Sequence, residues 1–251
     1  MGKFEDAIIN LTKSIKIKPN EALAHFHLAH SFQLLGKFEE AINNYRNAIK
    51  HKNDFSESYN MLGLCLAELG RLEEASNSYK ESIKVKPKQF EAYYNLGNNL
   101  QLMRKYEEAI DSYKNSIKFN PNYSDSYNNL GVIYDRIGKY DLSIEHFKKA
   151  LELNPENLGS INNMAHTYKK MGNYIKAIEK YDSINTNTSK SHALECLYML
   201  KDYKTINQRL NKYSESDEKN IRLGAFSAFI SNQLNQKIFF DSAHTQLILF
   251  K

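Results

Sequence analysis

Three histidines close together are the side chains of this chain best suited to bind a metal ion. His27 and His30 share one face of a helix at a spacing of i, i+3, whereas His25 falls in an apolar column. A zinc site needs three or four ligands. Thirty-four residues further on, the equivalent positions hold Met61 and Leu64, which cannot complete such a set. We therefore predict no metal site here.

The other residues with catalytic potential are isolated. Cys65 and Cys196 provide neither a disulfide framework nor a paired metal motif, so we expect reduced thiols in an intracellular, cytoplasmic protein. Asp241 and His244 form a lone pair near the C-terminus. The sequence contains no glycine-rich phosphate loop, nucleophile elbow or zinc-protease motif. We predict a protein without enzymatic activity and without a cofactor.

The scarce glycines and prolines follow a regular spacing. The 251 residues include only ten glycines and four prolines. The prolines lie on one 34-residue grid, at Pro19, Pro87, Pro121 and Pro155. Eight of the glycines fall on two further columns of that grid. Such a fixed period indicates a repeat architecture rather than an ordinary globular topology.

Two short motifs recur with this period and predict two helices per unit. One motif reads Gly-Lys-Phe-Glu-Glu-Ala-Ile at 36–42, and versions of it begin at residues 2, 70, 104, 138 and 172. The other motif has a tyrosine three residues before Leu-Gly, as in residues 59–63. Glycine after the first helix allows it to end. Acidic residues begin the second helix and lysines end it, as the helix dipole favours, and proline stops it.

A 34-residue helix–turn–helix unit with these columns resembles the tetratricopeptide repeat (TPR). The resemblance covers about residues 1–191 and implies an all-α fold, a right-handed α-solenoid of antiparallel helix pairs. Arg104 departs from the pattern by replacing the turn glycine, at a cost of about 1 kcal/mol. Asn53 and Ser189 replace the closing proline.

We divide the chain into a TPR array at 1–191, a degenerate helix pair with a C-terminal capping helix at 192–236, and a tail at 237–251. The predicted array consists of a half repeat at 1–21 and full repeats at 22–55, 56–89, 90–123, 124–157 and 158–191. The half repeat lacks its first helix, so we expect Ile8, Leu11 and Ile15 to be exposed unless a partner covers them. The apolar tail favours truncation before a lost second domain.

The resemblance also implies a binding groove. In TPR proteins the polar face of the first helix lines a concave groove that binds extended peptides or partner helices. The residues predicted to line it here are Asn60, Tyr94, Asn95, Asn98, Asn128, Asn129, Asn162, Asn163 and His166. An Asn amide has two donor hydrogens and an acceptor oxygen, which suits a peptide backbone regardless of its sequence.

The asparagine rows are similar to those of the TPR arm of O-linked GlcNAc transferases, which holds peptide in this way. An AT-rich genome would enrich asparagine without selection for function, so both explanations stay open. Chaperone-tail TPR domains instead use a basic clamp. Tyr94, Gly159 and Asn163 stand where that clamp needs cations, so the sequence does not favour a chaperone-tail partner.

Lysines form separate columns near the ends of the second helices, at Lys16, Lys50, Lys84 and Lys118, and at Lys18, Lys52 and Lys86. Stacked repeats would turn these columns into a basic rim that attracts acidic partners or nucleic acid. The formal net charge is only +5, and helix C-termini favour lysine in any case. We therefore consider nucleic acid the less favoured partner, and no segment is apolar enough for a membrane span.

These observations predict a non-catalytic scaffold that binds a protein or peptide in the concave groove. The alternative hypothesis is that the chain is the substrate-recruiting TPR arm of a longer, truncated enzyme, such as a glycosyltransferase, sulfotransferase or 2-oxoglutarate oxygenase. The identity of the partner and the oligomeric state do not follow from the residues.

Overall fold

The computed structural model describes residues 2–206, 208 and 209, which contain α-helices and no strand. The helices are α1 (Gly2–Ile17), α2 (Ala22–Leu34), α3 (Phe38–His51), α4 (Ser56–Glu68), α5 (Leu72–Val85), α6 (Phe90–Leu102), α7 (Tyr106–Phe119), α8 (Ser124–Arg136), α9 (Tyr140–Leu153), α10 (Leu158–Lys170), α11 (Tyr174–Ile184) and α12 (Asn187–Met199). Residues 203–206, 208 and 209 are also helical. The predicted all-α helical-repeat fold of the solenoid class is confirmed.

The helices pack with their neighbours along the chain. The chain divides into two compact units, one up to Ile133 and one from Tyr134. In the first unit α1 packs on α2, and the contacts continue in order through α3, α4, α5, α6 and α7. In the second unit α9 packs on α10, α10 on α11 and α11 on α12. First and second helices of the repeats therefore alternate in each unit.

The same tight turn ends each first helix. The turn glycines have φ between 72° and 77°, at Gly36, Gly70, Gly138 and Gly172. The N–H of Gly70 donates to the carbonyl of Ala67, and the N–H of Arg71 donates to the carbonyl of Leu66, each at 2.9 Å. This pair of bonds is the Schellman motif, which satisfies carbonyls that the helix end leaves open. Glycine recurs because it adopts positive φ without steric cost.

Two residues other than glycine adopt this turn. Arg104 has φ 59°, and its N–H donates to the carbonyl of Gln101 at 3.0 Å. Lys201, after α12, has φ 58°, and its N–H donates to the carbonyl of Tyr198 at 2.9 Å. The repeat turn therefore recurs beyond residue 191, where the 34-residue grid fails.

A buried aromatic residue of the second helix lies under a small residue of the first helix. A Cβ added to Gly63 would lie 2.5 Å from Cε1 of Tyr79, and one added to Gly97 would lie 2.7 Å from Cε1 of Tyr113. Both tyrosines are buried. Tyr45, Phe147 and Tyr181 in the same column are buried too.

The N-terminal helix of the array is less exposed than the sequence predicts. Ile8, Leu11 and Ile15 are half-buried, because α1 packs on α2. Phe4, Ile9 and Ile17 of α1 are exposed.

The first helix after the array begins earlier than residue 192, where the sequence predicts the degenerate helix pair to start. α12 begins at Asn187, because Thr186 and Ser189 form a capping box: each side chain hydrogen-bonds the other residue's backbone N–H. The predicted capping helix and tail lie outside the described residues.

Replacing Arg104 by glycine should raise the free energy of unfolding by about 1 kcal/mol, because glycine relieves the steric cost of positive φ. Urea unfolding followed by circular dichroism measures it. The matched control is Gly70→Ala, which should lower stability by a similar amount, since nothing lies within 4 Å of its added Cβ and only φ is strained. Unchanged stability in both variants would contradict this account of the turn.

Replacing Gly63 by alanine should lower the free energy of unfolding by about 1–3 kcal/mol, because the methyl group overlaps the Tyr79 ring and forces α4 and α5 apart. Thermal and urea unfolding measure the loss. Ala165 occupies the equivalent position in α10, so Ala165→Gly is the matched control, and it should cost only about 1 kcal/mol through helix propensity.

Candidate functional site

Asparagine amides connect the first helices of successive repeats in the first unit. Asn95 on α6 donates through Nδ2 to Oδ1 of Asn60 on α4, at 3.1 Å. Asn60 is only 2% exposed, whereas Asn95 is half-buried. Asn60 is thus buried and hydrogen-bonded inside the protein, whereas Asn95 is partly accessible to solvent.

A second amide pair lies between α6 and α8. Asn129 on α8 donates through Nδ2 to Oδ1 of Asn98 at 2.8 Å. The hydroxyl of Tyr113 donates to the same oxygen at 2.6 Å. Asn128 donates to Oδ1 of Asn129 at 3.0 Å. Both lone pairs of the Asn98 amide oxygen therefore accept hydrogen bonds from within the protein.

Two atoms of this network remain open for a ligand. Oδ1 of Asn95 accepts no hydrogen bond, and Nδ2 of Asn98 donates none, among residues 2–206, 208 and 209. Both side chains are half-buried. One acceptor and one donor on the same helix α6, three residues apart, are therefore available at a surface whose other amides are already bonded.

Tyr94 lies in an aromatic cluster beside the amides. Its ring meets the ring of Tyr123 edge to face, with centroids 5.0 Å apart at 87°, and Tyr123 also contacts Phe90 at 5.1 Å. Burial raises the pKa of Tyr123 well above its usual range, and the nearby Tyr94 and Asp125 raise it further. Tyr123 is therefore a neutral phenol at physiological pH. The cluster offers an apolar, hydroxyl-bearing surface next to Asn95 and Asn98.

The remaining predicted groove residues lie on α10, in the second unit. Asn162 and Asn163 are half-buried, and His166 is exposed. Although the side chain is exposed, partial desolvation of the ring by the surrounding protein lowers the pKa of His166, and the charge of Lys170 lowers it further. His166 is therefore mainly neutral at physiological pH.

Sequence reasoning missed a polar group on the same face of the second unit. Thr167 on α10 donates to Oδ1 of Asp135 at 2.9 Å, and Lys170 pairs with its Oδ2 at 2.5 Å. Lys169 pairs with Glu195 of α12. These pairs join neighbouring first helices, as the asparagines do in the first unit. In the sequence, the signal that could have predicted these pairs is the recurrence of opposite charges at about the repeat spacing.

The residues first considered for chemistry form no site in the described part of the chain. His25 is buried, and its Nε2 lies 2.9 Å from the carbonyl oxygen of Pro19. Burial raises the pKa of Cys65 to about 12 and that of Cys196 to about 11, so both thiols stay protonated. Within residues 2–206, 208 and 209, no three metal-ligating side chains converge. Asp241 and His244 lie outside those residues.

The lysine columns are exposed, and several members have local partners. Lys84 pairs with Glu81 at 3.3 Å, and Lys86 pairs with Glu57 at 3.2 Å. Lys52 lies over the ring of Phe55, 4.9 Å from its centroid. These contacts reduce the charge that the predicted rim presents to a partner. Among the described residues, no helix has the length and apolarity to cross a membrane.

Helix pairs of 34 residues, closed by a positive-φ turn and an aromatic-on-glycine contact, define a helical-repeat protein. Family models agree: those described as "Tetratricopeptide repeat" match residues 90–123, 124–157 and 146–179, and those described as "TPR repeat" match 32–70 and 63–103. Together these matches cover more than half of the chain. The chain belongs to the TPR family.

Solved structures show the same fold at low sequence identity. PilF of Pseudomonas aeruginosa is 19% identical, with a TM-score of 0.66, over 82% of this chain and 96% of that one. MamA of Desulfovibrio magneticus RS-1 is 23% identical, with a TM-score of 0.61, over 65% and 92%. YrrB, titled a TPR protein with an unusual peptide-binding site, is 19% identical, with a TM-score of 0.59, over 77% and 97%. No curated protein matches the chain.

The amide network should contribute to stability as well as to any binding surface. Asn98→Ala should lower the free energy of unfolding by about 1–2 kcal/mol, because it deprives the buried Tyr113 hydroxyl of its closest acceptor. Adding Tyr113→Phe should recover part of that loss. A double-mutant cycle by urea unfolding measures the coupling, and strictly additive effects would show that this hydrogen bond contributes nothing.

Proposed function

We propose that the chain is a non-catalytic scaffold that binds an extended peptide or protein segment on the first-helix face of α4, α6 and α8. The observation that carries the proposal is the amide and aromatic surface of α6. There, Asn95 and Asn98 keep one acceptor and one donor open beside the Tyr94 ring. An extended peptide presents alternating N–H and C=O groups, which such a pair can bind.

Electrostatics support a neutral or mixed partner over a strongly acidic one. The predicted groove residues of the first unit are amides and a phenol, and the first turns of α4, α6 and α8 contain the acidic residues Glu57, Glu91 and Asp125. Phosphate or a carboxylate tail would meet no cation among these residues. This composition argues against a chaperone-tail partner and against nucleic acid at the same surface.

The hydrogen bonds decide which residues best test the surface. Asn129 and Asn98 hydrogen-bond each other, so removing Asn129 disturbs the fold together with any binding site. Asn95 donates one bond and has an unengaged oxygen, and Tyr94 is half-buried. Substitutions at these two positions separate binding from folding more cleanly.

Peptides selected from a random displayed library on the purified full chain should bind Tyr94→Ala/Asn95→Ala at least about tenfold more weakly, a loss of about 1.4 kcal/mol. The measurement is fluorescence anisotropy with a labelled selected peptide. The matched control is Asn77→Ala, on the exposed face of α5, which should bind as wild type does. Equal affinity in all three proteins, with unchanged helicity, would move the binding surface away from α6.

A further inference from the structure

The contact between α5 and α6 contains a buried polar pair. Asn99 on α6 is 1% exposed and donates through Nδ2 to Oγ of Ser76 at 2.8 Å and to the carbonyl of Leu72 at 2.7 Å. Ser76 on α5 is 6% exposed. The interface between the repeats at 56–89 and 90–123 therefore has an amide and a hydroxyl where a repeat stack ordinarily buries apolar side chains.

The equivalent positions at the neighbouring boundaries are mostly apolar. They hold Ile42 and Cys65 between the preceding repeats, and Ile110 and Ile133 between the following ones. Moreover, Oδ1 of Asn99 is buried without a hydrogen-bond partner in the described residues. An unsatisfied buried carbonyl costs stability, and a serine in place of isoleucine removes buried apolar area. The α5–α6 interface is weakened on both counts.

A further polar group lies inside the repeat at 56–89, next to this boundary. Ser82 on α5 donates to the backbone carbonyl of Ser56 at 2.9 Å, and the Ser56 hydroxyl donates to Oε1 of Gln89. Ser56 and Ser82 are buried. Two buried hydroxyls and the half-buried Gln89 amide thus lie where this repeat ends.

The position of Gln89 is aromatic at the two adjacent boundaries. Phe55 is buried and packs on Phe26 with ring centroids 4.9 Å apart, and Tyr123 packs on Phe90 at 5.1 Å. Gln89 supplies no such ring contact. At this boundary, hydrogen bonds therefore replace apolar packing at positions 76 and 99, and position 89 lacks the ring contact of its neighbours.

A stack of repeats has a stability that is approximately a sum of repeat and interface contributions, so its weakest interface is where it opens. We infer that the α5–α6 boundary is a hinge, at which the first unit opens locally before it opens at its other repeat boundaries. The Asn95–Asn60 bond spans the same boundary, so opening there separates α4 from α6 on the amide surface. This inference rests on buried contacts alone and does not depend on the proposed peptide binding.

Hydrogen exchange of the full chain, resolved by residue, tests the hinge. Amides of α5 and α6 that face the boundary should exchange about tenfold or more faster than the equivalent amides of α3 and α4. Ser76→Ile/Asn99→Ile, which copies the Ile110 and Ile133 pair, should slow their exchange by about tenfold. Asn99→Leu, close in shape to asparagine, guards against overpacking and should slow it to a smaller extent.

The reciprocal variant is the control. Ile110→Ser/Ile133→Asn copies the polar pair to the next boundary and should make the amides there exchange as fast as those at the hinge. If circular dichroism shows that this protein is unfolded, Ile110→Ser alone takes its place. The hinge is refuted if the α5 and α6 amides exchange no faster than those of α3 and α4, or if neither repair variant slows them.

Discussion

The packing of a second-helix aromatic ring against a first-helix residue without a side chain is the contact on which the other features depend. Tyr79 under Gly63 and Tyr113 under Gly97 leave no room for a methyl group, so α4 packs closely on α5 and α6 packs closely on α7. Because the two helices of a pair pack closely, the turn between them must reverse the chain in a few residues. It does so with one residue at positive φ. The close packing also fixes which residues of the first helix face away from its partner and remain available for the polar surface.

The polar surface is built on this contact. The ring of Tyr113 packs under Gly97, and its hydroxyl reaches Asn98, which in turn accepts from Asn129 of the next repeat. A core residue thus positions an amide of the candidate binding surface. Between α6 and α8, the amides are therefore held by hydrogen bonds within the protein. This arrangement also leaves few amide atoms open for the proposed peptide binding, on Asn95 and Asn98.

The inferred hinge makes the stability of the first unit differ from one repeat boundary to the next. The helix pairs are alike within each repeat, whereas the boundaries between repeats differ in polarity. Asn99 and Ser76 form hydrogen bonds at a boundary whose neighbours bury isoleucine. Hydrogen bonds preserve alignment but contribute less net free energy than the apolar area they replace. A scaffold with one soft boundary can change the spacing of its first helices while each helix pair stays intact.

The amino-acid sequence by itself determined the helices, the turns and the buried aromatic column, because these depend on local spacing that repeats every 34 residues. It also placed Arg104 in a glycine turn correctly. Only the tertiary structure decided which asparagines bond to one another, since Asn95 meets Asn60 only through the rotation between successive repeats. It likewise showed that Asn60 is buried, that Asp135 bridges to Thr167 and Lys170, and that α12 begins at Asn187. Side-chain pairs between repeats depend on distances that a one-dimensional period does not contain.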